Sequence, residues 1–190
     1  MEEYLGDGLV YESKLPLNCE IADESTLEQG VQGAASRNER LLQCLIALDE
    51  RRKETSDEDD EHSAELLRLE AKVDMLLELV SGLVQQQDQV ALPVLLRLGS
   101  EGMNWIVKDT ELRAGQYVWV TLDVDARLPQ ALKLPSLVRD ISDHKDGRLV
   151  SVGFIDQGER FSDLLQKFIF RHHRRQIAKM KATRHPEQGE

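Results

Sequence analysis

Apolar residues recur along this chain in two rhythms. From about residue 24 to 88 the spacing alternates between three and four, which keeps side chains in one seam of a helix. Leu27, Val31, Ala34, Asn38, Leu41, Leu45 and Leu48 hold that seam first, and Leu66, Leu69, Val73, Leu76, Val80 and Leu83 hold it again. Between them, Lys53 to Glu61 carries no apolar residue. No helix could bury such a run, so it predicts the solvated tip between two helices. Two helices of about 26 to 28 residues run out roughly 40 Å and return to nearly the same place.

On either side of this stretch the period falls to two. Leu15, Leu17, Cys19 and Ile21 alternate with polar residues, with Pro16 suggesting an edge or a strand start. Strands are then predicted over Val94 to Leu98, Met103 to Val107, Tyr117 to Val124, Leu132 to Ile141 and Leu149 to Ile155, with a turn at Lys145-Asp146-Gly147. Short antiparallel strands at this spacing predict a small barrel, and Phe161, Leu165, Phe168 and Ile169 mark the apolar face of a terminal helix. One strand precedes the helical stretch and about five follow it, so a hairpin that returns the chain to its start lets the barrel close. The expected class is α+β: a barrel with its terminal helix from residues 1–22 and 89–185, and an inserted helical hairpin over 23–88.

Charge sharpens that division. The net charge is −11. Asp23 to Asp88 hold 17 acidic and 7 basic residues, which leaves 18 acidic and 17 basic elsewhere. The C-terminal segment has the opposite sign, with Lys167, Arg171, Arg174, Arg175, Lys179, Lys181 and Arg184 and no acidic residue among them. That segment is either a helix docked by its apolar face with a solvated basic side, or a contact for nucleic acid or an anionic surface.

The residues outside the insert resemble the PilZ domain family. The resemblance rests on Leu98-Gly99-Ser100-Glu101-Gly102-Met103-Asn104-Trp105, the strand entry Gly115-Gln116-Tyr117-Val118, Ser151-Val152-Gly153-Phe154, and the helix from Leu164 to His172. It covers roughly residues 9 to 22 and 90 to 180. It implies a six-stranded antiparallel barrel closed by a C-terminal helix, usually a bacterial receptor for cyclic di-GMP. Members that bind the dinucleotide carry Arg-x-x-x-Arg ahead of the first strand and an Asp/Asn-x-Ser-x-x-Gly turn after the second. Their guanidinia grip phosphates and stack on guanine.

This chain departs from that pattern at both places. Ahead of the expected first strand stands Tyr11-Glu12-Ser13-Lys14, and residues 1 to 36 contain no arginine. In the turn, Arg97 replaces the acidic residue and Gly99 the serine, next to Ser100; only Gly102 is retained. The expectation is that cyclic di-GMP is not bound in the usual way. Gly102 is then explained by the turn itself, as a residue at positive φ. Trp105 and Trp119 are expected in the barrel wall or core.

Other chemistry is thin. His172 and His173 are adjacent and diverge on a helix, Asp123 and Asp125 lack a cleft or nucleophile, and Asp57 to Glu61 lack the spacing of a calcium loop. Cys19 and Cys44 have neither metal-ligand nor disulfide-framework spacing. No metal, no cofactor and no enzymatic activity are expected. No window of about eighteen apolar residues and no signal-peptide pattern occur, so the expected location is cytoplasmic, with no membrane insertion.

The insert becomes the main functional clue. Leu77, Leu79 and Val84 flank the seam residues Leu76, Val80 and Leu83, a stripe wider than one hairpin partner covers. Leaving about four such side chains exposed forgoes roughly 1.5 to 3 kcal/mol apiece, enough to drive association. The expected interface comprises Leu41, Leu45, Leu48, Leu66, Leu69, Val73, Leu76, Leu77, Val80, Leu83 and Val84, assembling a tetramer, or else a dimer. Asn38 is either a buried amide fixing register between chains or a solvent-facing residue of a helix turn weakened by Gly30 and Gly33. The functional expectation is a regulatory or scaffolding protein of bacterial signalling, type IV pilus function, motility or virulence, acting through protein partners and not nucleic acid. The alternatives are a degenerate-site cyclic di-GMP receptor whose ligand alters oligomer geometry, and a nucleic-acid or membrane-surface binder using the basic helix.

Overall fold

The computed structural model of the chain describes residues 4–6, 8–54, 73, 91–125, 128 and 130–184, with backbone alone for 49–54 and 179–184. Its elements are β1 (Tyr11–Ile21), α1 (Glu24–Glu54), β2 (Pro93–Leu98), β3 (Gly102–Val107), β4 (Tyr117–Leu122), β5 (Leu132–His144), β6 (Gly147–Phe154) and α2 (Glu159–Arg184). The six strands close into one antiparallel barrel in the order β1-β2-β3-β6-β5-β4. The fold is α+β, as the period-two segments imply.

Alternation explains the core. Val118, Val120 and Leu122 of β4 are wholly buried, as are Leu132 and Leu134 of β5 and Val150 and Val152 of β6. They meet Leu96, Leu98, Met103 and Trp105 in one hydrophobic cluster that fills the barrel. Each such side chain contributes roughly 1.5 to 3 kcal/mol on leaving water.

β1 starts at Tyr11, four residues before the alternation suggests, so Tyr11 to Lys14 lie within the strand and not ahead of it. Its first half pairs with β2 and its second with β4. Pro16 sits opposite Pro93 at the changeover. Neither proline has an N–H to give, so the β1–β2 ladder ends there. Pro16 therefore marks a change of partner inside a closed barrel that has no edge.

α1 packs against β5, β4 and α2. Leu27, Ala34, Ala35, Leu41, Leu42 and Leu45 form its buried face. Glu39 pairs with Arg160 at 3.5 Å, and the Ile46 carbonyl accepts from Arg171 Nη1 at 2.9 Å. Numbers on both helices rise together, so α1 and α2 run side by side in the same direction.

Asn38 belongs to neither of its expected settings. It is wholly buried inside the protomer. Its Nδ2 donates to the Lys133 carbonyl at 2.8 Å and to Gln157 Oε1 at 2.7 Å, while its Oδ1 accepts from Lys133 N–H at 3.0 Å. The amide thereby extends the β5 backbone and fastens α1 to the barrel. The reason is local: α1 lies so close to β5 that backbone groups there need a side-chain partner.

α2 docks by the face the sequence marks, with Phe161, Leu165, Phe168 and Ile169 buried. Farther along, the His172 ring lies 4.8 Å from Tyr11 and 4.3 Å from Phe168, His173 Nδ1 stands 3.2 Å from the Val10 carbonyl, and Gln176 donates to the Glu12 carbonyl. Of the second heptad run, the described residues include only Val73, helical and 47% exposed. Leu66, Leu69, Leu76, Leu77, Val80, Leu83 and Val84, with residues 55–61 of the expected tip, lie outside them, whereas Lys53 and Glu54 are the last residues of α1.

Candidate functional site

The turn joining β2 to β3 spans residues 98–102. Gly99 N–H donates to the Gly102 carbonyl at 2.9 Å and closes it, and the Glu101 carbonyl accepts from Phe154 N–H at 2.7 Å. The turn is thus fixed to the end of β6, with Ser100 and Glu101 at its tip.

What covers the turn is the chain itself. Tyr4, Leu5 and Gly6 form a strap across it, and Leu5 is 1% exposed. A Cβ on Gly99 would sit 2.1 Å from the Leu5 carbonyl oxygen. One on Gly102 would sit 2.2 Å from the Val152 oxygen and 2.3 Å from that of Tyr4. Gly6, at φ 80°, crosses Ser100 so closely that a Cβ there would meet its Oγ at 2.7 Å.

The expected reason for Gly102 is corrected. Gly102 does not have positive φ, since the glycines that do are Gly6, Gly115, Gly147 and Gly158 among the described residues. It is glycine because two backbone carbonyls converge on its α-carbon. Gly99 stands where the ligand motif has serine, and a serine Cβ would enter the Leu5 carbonyl. The motif departure and the strap are therefore one arrangement.

Arg97 is also engaged away from the turn. It faces Glu12 across the β1–β2 ladder, with Nε 2.9 Å from Glu12 Oε1.

A cavity of about 460 Å³ opens beside the strap, bounded by Tyr4, Ser100, Glu101, Arg139, Gly153 and Gln157 among others. Arg139 reaches it from a bulge between Val138 and Asp140 of β5. Its single guanidinium stands with the carboxylates of Glu101 and Asp156, a poor setting for a ligand with two phosphates. At the opposite end of the barrel a second cavity, of about 310 Å³, is lined by Leu17, Cys19, Ile21, Val94, Trp105, Val107, Thr110, Glu111 and Leu112. Burial, with Glu20 adding, pushes the Cys19 thiol up to about 12, so it is no nucleophile.

The association residues divide. Leu41 and Leu45 are 3% and 9% exposed within the protomer, in the same cluster as Phe161 and Leu165, and Leu48 is half-buried against it. Leu41 and Leu45 thus lie in the protomer's own core, against the barrel and α2, while Leu48 keeps part of its surface open. Trp105 is core; Trp119 lies on the wall against Gly30 of α1, with Lys133 Nζ 4.9 Å from its ring centroid.

The remaining candidates stay apart. β4 ends at Leu122, so Asp123 and Asp125 lie beyond the strand; burial raises the Asp123 carboxyl above its ordinary value, against a backbone hydrogen bond from Asp125 that lowers it. His172 and His173 face different neighbours, and among the described residues no group of three or more His, Cys, Asp or Glu could hold a metal. No described helix is long and apolar enough to cross a membrane. Sequence reasoning missed the strap and Arg139. Leu5, the isolated apolar residue between Tyr4 and Gly6, was the available signal.

Against known proteins, a family model described as "Atypical PilZ domain, cyclic di-GMP receptor" matches residues 42–182. A search of curated proteins found no match. Among solved structures, the chain is similar to a pathogenic Xanthomonas campestris protein described as a tetrameric PilZ domain self-assembled via an unusual helical bundle. That likeness has 26% identity over 93% of this chain and 94% of that one, at a TM-score of 0.72. The PilZ domain of YcgR from Escherichia coli with cyclic di-GMP shares 19% identity over 47% of this chain and 77% of its own, at a TM-score of 0.38.

Proposed function

The chain belongs to the atypical PilZ family, and from that footing we propose that it is a non-enzymatic, homo-oligomeric regulator. It works through protein contacts and does not hold cyclic di-GMP as ligand-binding relatives do. The strap carries this reading: Leu5 and Tyr4 carbonyls lie against the α-carbons of Gly99 and Gly102, two positions of the turn that the resemblance gives to the ligand motif. The neighbouring cavity adds one guanidinium against two carboxylates.

Assembly is the second half of the proposal. With the described face of α1 covered inside the protomer, the ribbon Leu66, Leu69, Val73, Leu76, Leu77, Val80, Leu83 and Val84 is left to find sister chains. The likeness to the Xanthomonas tetramer supports four copies over two. Several barrels presented together raise avidity without a tight single site. Type IV pilus function, motility or virulence signalling in bacteria is the setting that the resemblance suggests.

The family description as a cyclic di-GMP receptor favours a second reading, in which the nucleotide displaces the strap and alters oligomer geometry. Calorimetric titration separates the two. The proposal expects no site at micromolar nucleotide, for the full chain and for one starting at Gly8. A micromolar site in the full chain, lost on Arg97→Ala or Ser100→Ala, overturns it; a site only in the shortened chain makes the strap a gate.

A further inference from the structure

We propose that the ridge Phe170–Arg174–Ile177 on the outer side of α2 is a docking surface for an acidic amphipathic helix of a protein partner. The proposal rests on the reading that this chain works through protein contacts.

Once a helix has buried one apolar face, its other sides are ordinarily polar. α2 is different. Phe161, Leu165, Phe168 and Ile169 are buried against the barrel, yet Phe170 and Ile177 remain 47% and 36% exposed. They lie seven residues apart, on one line along the helix, with Arg174 between them. The Arg174 guanidinium stands 5.7 Å from the Phe170 ring centroid, so charge and apolar surface form one stripe.

The partner's chemistry follows from charge. From Leu164 to Pro186 the chain has no acidic residue and seven Lys or Arg, whereas the whole chain carries −11. A broad anionic surface such as a bilayer, or a long polynucleotide, meets the repulsion of the rest of the molecule. A single helix laid along two turns stays within about 8 Å of the stripe, where the local positive charge dominates. A nucleic acid would also leave Phe170 and Ile177 unmatched. The barrel is closed and offers no free strand edge, so a partner cannot join as an added strand. A helix with apolar residues at i, i+3 or i+4 and i+7, flanked by Glu or Asp, matches what remains.

The test uses the full-length protein and a fluorescent synthetic helix of about 18 residues, with Leu along one face and Glu beside it. A scrambled peptide of equal composition, phosphatidylglycerol vesicles and duplex DNA are the comparisons. The expected result is peptide binding that weakens as salt rises, with at least about tenfold loss in Phe170→Glu/Ile177→Glu and in Arg174→Glu. Unchanged thermal melts of these exposed-site variants show that folding is intact, and the Arg174→Glu variant tests the stripe without touching its apolar residues. No peptide binding, equal binding by all variants, or capture of vesicles or DNA in place of the peptide overturns the inference. A tetramer that ignores the peptide sinks this surface alone, whereas a monomer that still binds it sinks the assembly reading alone.

Discussion

Glu12 of β1 and Arg97 of β2 stand directly opposite each other and close an ion pair at 2.9 Å. Arg97 occupies the place of the acidic residue in the ligand motif, and here that position carries a cation turned toward a neighbouring strand. Both side chains are partly solvated, 34% exposed for Arg97 and 62% for Glu12, so the pair adds at most about 1 kcal/mol. Its importance is positional. The Arg97 guanidinium meets a carboxylate of the neighbouring strand, at a position where the ligand motif has an acidic residue.

Asn38 is expected to stabilise the protomer and not the register between chains. Asn38→Ala leaves Lys133 N–H and C=O and Gln157 Oε1 without their partner, at a cost of about 2 to 4 kcal/mol. Urea denaturation measures the loss. An unchanged midpoint together with an altered oligomer mass would restore the seam reading.

Gly99→Ser restores the motif residue, but its Cβ would sit 2.1 Å from the Leu5 oxygen. The expected outcome is a destabilisation of about 1 to 3 kcal/mol in the full chain, reduced when residues before Gly8 are removed. Gly102→Ala is not rescued in that way, because Val152 contributes a second carbonyl at 2.2 Å. Equal penalties with and without the strap would show that it does not press on the turn.

Gly30 and Gly33 separate in the same manner. A Cβ on Gly33 meets nothing within 4 Å, so Gly33→Ala should stabilise α1 by about 0.5 to 1 kcal/mol. On Gly30 it would sit 2.7 Å from Cζ2 of Trp119, whose ring Lys133 also approaches. Thermal melts should show Gly30→Ala less stable than Gly33→Ala; two equal gains would refute the contact.

Cys19 gives the protein a defined alkaline limit. Its thiol is raised from the ordinary 9.0 to about 12 by burial, so above 9 the unfolded chain releases a proton that the folded chain keeps. Stability should therefore fall as pH rises between these values and show no Cys19 dependence below 9. Urea midpoints across that range, compared with Cys19→Ala, isolate the slope. Identical slopes in the two proteins would place Cys19 in contact with water.

The barrel was legible because alternation states which face is buried, and a closed barrel has only one inside. Val118, Val120 and Leu122 need no further information. The heptad seam is weaker evidence: Leu41 and Leu45 show that a helix has an apolar stripe, but not whether a strand, a neighbouring helix or another chain covers it. Asn38 was misread for the same cause. Leu5 alone marked the strap, since three residues have no period, and Gly102 could not be told from a positive-φ glycine without the carbonyls around it.

The claim that most of the function depends on is assembly through the ribbon from Leu66 to Val84. Light scattering at micromolar concentration tests it directly, on the intact chain and on one with Leu69, Leu76 and Leu83 replaced by glutamate. The account predicts four times the chain mass of 21.6 kDa for the first and a smaller particle for the second. A single-chain mass for the intact protein would contradict it.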